Sequence, residues 1–123
     1  MERMTTEIRD TINRNIVDAR NACKHGQWEL CWLLLEDAHV LSQPWVWPHI
    51  RVHAVMLVAG WRARDSREVR GQLLRLLVGG PASAVGRYPS GNTGRAQVSA
   101  IQPMPLRADL AEMLARAGRS TRR

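Results

Sequence analysis

Glu36-x-x-His39, a gap of nine residues, and His49-x-x-x-His53 bring one carboxylate and three of the four histidines of this chain into a single short stretch. Side chains three or four apart on a helix project from one face, so the pattern sets two ligand-type groups on each of two successive helices. Neutral imidazole and carboxylate suit zinc, iron, manganese or copper. Three protein ligands with an open position make a catalytic arrangement, whereas closed sites are structural. The expectation is one divalent transition metal ion held by His39, His49, His53 and Glu36, with Glu36 either a ligand or the catalytic general base. Met56 follows His53 by three residues, and its thioether would favour copper, although Met at that spacing is also ordinary core. The competing reading makes the histidines hydrogen-bonded groups at helix ends and pairs Glu36 with Arg51 or Arg62.

These residues need helices to position them. Ile8, Ile12, Ile16, Ala19 and Cys23 recur at helical spacing behind Thr5 and Thr6 as caps, and predict a first helix ending near His25-Gly26. A second runs from Gln27 to about Leu41 and is apolar on more than one side, which makes it central. Prolines in Pro44-Trp45-Val46-Trp47-Pro48 end it and start a third from Pro48 to about Arg64, antiparallel to the second. Gly60 on the third helix admits a close neighbour. Asp65 caps a fourth helix at capping-box spacing from Glu68, with Val69, Leu73, Leu76 and Leu77 as its buried face, and Gly79-Gly80-Pro81 ends it. A stretch rich in Gly, Ser and Pro follows to Pro105. In it Gly91-Asn92-Thr93-Gly94 is a turn that would offer backbone amides as an anion nest, and residues 79–105 would fold over the site as a lid. Leu106 to Ala117 is the last helix. The fold expected is all-α, a small antiparallel bundle of four to five helices with a long Gly/Pro-rich loop before the last. Residues 1–118 form one domain, and 119–123 form a basic tail.

The chain has 123 residues and 13.9 kDa, enough for one hydrophobic core. It has no apolar run long enough to span a bilayer and no hydrophobic leader, which points to a cytoplasmic protein without membrane contact. Cys23 and Cys31 are too few and too far apart for a disulfide framework or a C-x-x-C motif, so they are expected as free thiols. Seventeen arginines and one lysine give a net charge of +7. The densest group, Arg62 to Arg70, could meet phosphate, but acidic Asp65 and Glu68 interrupt it, so nucleic acid is not the favoured partner.

All five tryptophans lie between positions 28 and 61. Trp28, Trp32, Trp45 and Trp47, with Met56 and Gly60, are the candidate lining of an apolar pocket for a small molecule, roofed by the loop tryptophans Trp45 and Trp47. Haem fits the same inventory with histidine as axial ligand, but no motif marks it. Two classes of function remain: a metal-dependent enzyme (hydrolase, lyase or oxygenase) acting on a small molecule, or a non-catalytic metal, haem or ligand binder or sensor. A homodimer through the apolar side of the second helix is compatible with either.

Leu35-Glu36-Asp37-Ala38-His39-Val40-Leu41, His49-x-x-x-His53, Arg64-Asp65-x-Arg67-Glu68-Val69-x-Gly71-Gln72 and Pro89-Ser90-Gly91-Asn92-Thr93-Gly94 through Pro103-Met104-Pro105 together resemble a family of short bacterial proteins known only as a domain of unknown function, family 3703. The resemblance covers most of the chain. It implies a bacterial origin and an all-helical fold, and it brings no activity with it.

Overall fold

The computed structural model describes residues 3–84, 88–98 and 102–118, without the side chains of 78–84. Five helices and no strand occur among them: α1 (Thr6–Lys24), α2 (Trp28–Ser42), α3 (Val46–Arg62), α4 (Ser66–Ala84) and α5 (Ala108–Arg116). The tail at 119–123 lies outside the described residues, as do parts of the 79–105 loop.

Thr5 caps α1 by accepting the Ile8 amide at 3.2 Å, and Ile8, Ile12, Ile16, Ala19 and Ala22 form its buried stripe. Gly26, at φ +69°, turns the chain into α2, and the Gly26 and Gln27 amides cap the last carbonyls of α1. α1 and α2 form one hairpin, α3 and α4 a second, and α2 packs on α3. Apolar residues of α1, α2, α3 and α5 build the core, in which Leu35, Leu41, Val52 and Met56 are fully buried. α5 closes this core through Leu110 and Leu114, against α1 and α2.

Three details differ from the sequence expectation. α3 begins at Val46, so Pro48 is its third residue. The amides of the first turn have no helical partner, and a missing N–H there costs nothing. α4 continues through Gly79-Gly80-Pro81 to Ala84.

The third difference is the buried face of α4. Leu73 and Leu77 are 50% and 77% exposed, and the residues turned inward are Glu68, Gln72 and Arg75. Val69 and Leu76 of the expected stripe are half-buried, but the stripe fails at Leu73 and Leu77 because, among the described residues, α4 touches only α3 of the other helices. Its other inward neighbour is the extended segment 88–98, whose exposed backbone groups need polar partners.

Two close approaches shape this part of the molecule. A Cβ on Gly60 would stand 3.2 Å from Glu68 Cβ and Cγ, so this glycine admits α4 against α3, as its position in the sequence predicts. A Cβ on Gly71 would meet the Ala96 Cβ at 2.5 Å, so the loop lies on α4 there.

Candidate metal centre

His39 comes from α2, and His49 and His53 come from one face of α3. The antiparallel packing of the two helices points all three rings at a common spot. The three Nε2 atoms form a triangle, each 3.1 Å from the other two. The residues are 3%, 5% and 2% exposed.

The opposite edges of two rings decide which atoms carry protons. His39 Nδ1 lies 2.7 Å from the Asn92 carbonyl oxygen, which can only accept, so Nδ1 holds the proton and donates. His53 Nδ1 lies 2.6 Å from Gln72 Oε1. The Gln72 amide cannot be turned round, because its nitrogen already donates to Glu68 Oε2 at 2.7 Å and to the Gly94 carbonyl at 2.8 Å. His53 Nδ1 is therefore the donor. With a proton on each Nδ1, the Nε2 atoms of His39 and His53 are bare lone pairs facing one another at 3.1 Å.

Such a contact is repulsive unless a cation, or a hydrogen donated by the Nε2 of His49, lies at it. A proton is poorly suited. Burial holds His53 down to about 4, and burial followed by the two neighbouring imidazoles holds His39 well below its ordinary value. The three histidines could instead hold a metal ion. With Zn–N bonds of about 2.0–2.1 Å, an ion equidistant from the three nitrogens would stand about 1 Å out of their plane. A few tenths of an ångström of opening makes that tetrahedral.

A second layer of residues surrounds the histidines. Glu68, buried in α4, accepts from Gln72, from Arg95 Nε at 2.6 Å and from the Ala96 amide at 3.1 Å. The Arg95 guanidinium also lies 3.8 Å from the centroid of the Trp32 ring, which joins the loop to α2 by a cation–π contact. Arg75 donates to the carbonyls of Gly94 (2.7 Å) and Val98. Asn92 donates from its side chain to Gln102 O and accepts the Gly94 amide. The Asn92 amide closes a turn to Pro89 O, with Gly91 at φ +78°. The Asn92 and Gly94 amides are thus used inside the turn and do not form the anion nest expected of it. A Cβ on Gly94 would come within 2.5 Å of His39 Cδ2, so only glycine lets the segment lie against this ring.

The predicted residues divide clearly. His39, His49 and His53 meet, and the group of mutually close ligand atoms does not include Glu36. Glu36 is half-buried, and burial raises its carboxyl, opposed by Arg95. Met56 is packed in the apolar core. Trp32 and Trp45 are buried, Trp28 is partly buried, and Trp47 is 78% exposed. Trp47 borders a cavity of about 310 Å³ with Met4, Ile12, Asn13 and Arg51, while Gly60 borders another with Trp61 and Val69. Neither cavity is lined by the cluster histidines, and it is residues 92–94 that lie against His39. Cys23 and Cys31 are free thiols, and burial raises Cys31 to about 11. No helix among the described residues is long and apolar enough to cross a membrane.

Gln72, Glu68, Asn92, Gly94 and Arg95 were not singled out as site residues from the sequence. The signal of the first four lies in the motifs around Glu68 to Gln72 and Pro89 to Gly94, which read locally as a helix cap and a turn, and nothing in either motif marks Arg95.

One protein-family model, described as a protein of unknown function (DUF3703), matches residues 6–114. No curated protein and no solved structure gives a match.

Proposed function

We propose that this chain, which belongs to the DUF3703 family, is a metal-binding protein that carries one divalent transition metal ion on the Nε2 atoms of His39, His49 and His53. The observation that supports it is the 3.1 Å contact between two nitrogens whose protons are committed to the far side of their rings. An all-nitrogen set suits zinc, copper, nickel or iron(II), and disfavours magnesium and calcium, which take oxygen ligands. Without a carboxylate in the set, manganese is a poorer fit.

The burial of the three rings and the segment 92–94 against His39 favour a resident ion over an open centre for a large substrate. The protein then acts as a metal binder or sensor, with the ion holding α2, α3 and the loop together.

A second reading, a metal-dependent enzyme for a small molecule, is favoured by one feature. Three neutral ligands leave a coordination position open, and Glu36, its carboxyl raised by burial, is the candidate base on the helix that carries His39. Under that reading Glu36→Gln keeps the ion and loses turnover.

The test is elemental analysis of protein purified without a metal column, beside His49→Ala and His53→Ala. One equivalent of metal in the parent and a small fraction of that in each variant is expected. Equal metal content in all three would refute the site.

A further inference from the structure

We propose that the ion takes a small anion as its fourth ligand, hydroxide when only water is supplied, and that the Thr93 hydroxyl donates a hydrogen bond to it. The inference rests on the metal reading above and assigns Thr93 a positioning role at that centre.

The residues on both sides of Thr93 lie against His39. The carbonyl of the preceding residue, Asn92, takes the Nδ1 proton of His39 at 2.7 Å. The following residue, Gly94, packs so closely on the same ring that a Cβ there would lie 2.8 Å from His39 Nε2, the ligand atom. Between these anchors, the Thr93 Oγ1 atom is buried and has no hydrogen-bond partner.

This orphan stands out against its surroundings. Gly94 N is satisfied by Asn92 Oδ1, and Gly94 O takes two donors, from Gln72 and Arg75. Glu68 is bonded by Gln72, Arg95 and Ala96. A buried hydroxyl left unpaired costs about 1–3 kcal/mol, so a partner that arrives with the ion accounts for its placement.

Charge points to an anion. Three neutral imidazoles leave both charges of a divalent ion uncompensated. The buried carboxylate of the surrounding layer, Glu68, is already paired with Arg95, and Arg75, itself buried, adds a further positive charge. Buried charge needs a counter-charge, and the open position is where one can enter. A metal of this kind brings bound water to a pKa near neutrality, so hydroxide forms with release of one proton to solvent. An anion accepts and a hydroxyl can donate, which matches Thr93.

The test uses cobalt(II) as a visible probe in the full chain. The parent protein is expected to load one equivalent, and its d–d absorption should respond to azide and to rising pH as bound water becomes hydroxide. Thr93→Val is compatible with the backbone, since Thr93 is not among the positive-φ residues. It should load the same cobalt but raise the pH midpoint by about one unit or more, the loss of one hydrogen bond to a charged group. Thr93→Ser should restore the parent midpoint. If Thr93→Val loses its helical circular dichroism, Thr93→Ala makes the same comparison. Failure of the parent to load cobalt overturns the metal reading itself. Normal loading with no response to azide or pH, or with equal midpoints in parent, Val and Ala variants, overturns the role of Thr93 and leaves the metal site standing.

Discussion

Replacing Gln72 by leucine tests whether the layer behind the histidines works as the geometry requires. Leucine keeps most of the volume but removes the acceptor of the His53 Nδ1 proton and the donor to Glu68 Oε2 and Gly94 O. The two acceptors stranded by the change are not left empty. Glu68 Oε2 still receives the Ala96 amide, and Gly94 O still receives Arg75. The cost to the metal-free fold should therefore stay near the lower end of about 1–3 kcal/mol for a disturbed buried polar group. His53 loses more, because nothing then holds its proton on Nδ1 or fixes its ring. Loss of such a supporting partner weakens metal affinity by about 10–100-fold, which is about 1.4–2.7 kcal/mol. The assay is zinc competition against a chromophoric chelator, with urea unfolding of the metal-free protein alongside. Gln72→Glu is the informative partner, since a carboxylate still accepts from His53 but loses the donor to Glu68. It should hold zinc better than the leucine variant while destabilising the metal-free fold more, through two buried carboxylates side by side. Unchanged zinc affinity in a folded leucine variant would refute the reasoning, because His53 would not then depend on Gln72.

Two further outcomes follow from the same geometry. Gly94→Ala combines a φ of +81° with a Cβ 2.5 Å from the His39 ring, so it should cost about 2–4 kcal/mol in urea unfolding and lower zinc affinity. Gly26→Ala is the control: its φ is similar, but nothing lies within 4 Å, so it should cost about 1 kcal/mol and leave zinc binding unchanged. In the metal-free protein burial holds the folded pKa of His53 at about 4, below the ordinary imidazole value of 6.5. The unfolded chain therefore binds the extra proton first. Stability is full above about pH 6.5 and falls by up to about 3 kcal/mol as pH drops towards 4, with His39 acting in the same direction. Urea midpoints across this range measure it, and a midpoint that stays level or rises on acidification would contradict the burial of neutral imidazoles.

The helices and the three-histidine cluster are legible in the sequence because both depend on local spacing. Ile8, Ile12 and Ile16 fall on one stripe wherever α1 packs, and His49 and His53 share a face of α3 in any helical context. The face of α4 differs from the sequence expectation for a physical reason. Amphipathic periodicity assumes that the inward side is apolar, and here Glu68, Gln72 and Arg75 turn inward because they meet loop backbone and an imidazole. Leu73 and Leu77 are left outside as a consequence. Spacing alone groups Glu36 with His39, but a shared helix face does not bring a carboxylate to the point where rings from a second helix converge. Gly94 and Asn92 were out of reach of local reasoning, since their partner is more than fifty residues away in the chain.

The placement of segment 88–98 explains why so polar an assembly is buried at all. Among the described residues α4 makes no contact with α2, and the irregular segment bridges the two, through Arg95 on Trp32 and Gly94 on Gln72. Each of its carbonyls and amides taken out of water needs a partner. Gln72 and Arg75 supply donors to Gly94 O, Glu68 accepts Ala96 N, and His39 donates to Asn92 O. Several of the groups that satisfy the segment are thus the ones that orient the imidazoles. An apolar replacement of this layer would strand the loop backbone, and loss of the loop would free the His39 proton to move to Nε2 and take from the Gln72 amide, which holds the His53 proton, one of its two acceptors. The segment and the three-histidine cluster therefore stand or fall together, and an ion that binds the cluster stabilises both, by mass action on the folded form alone.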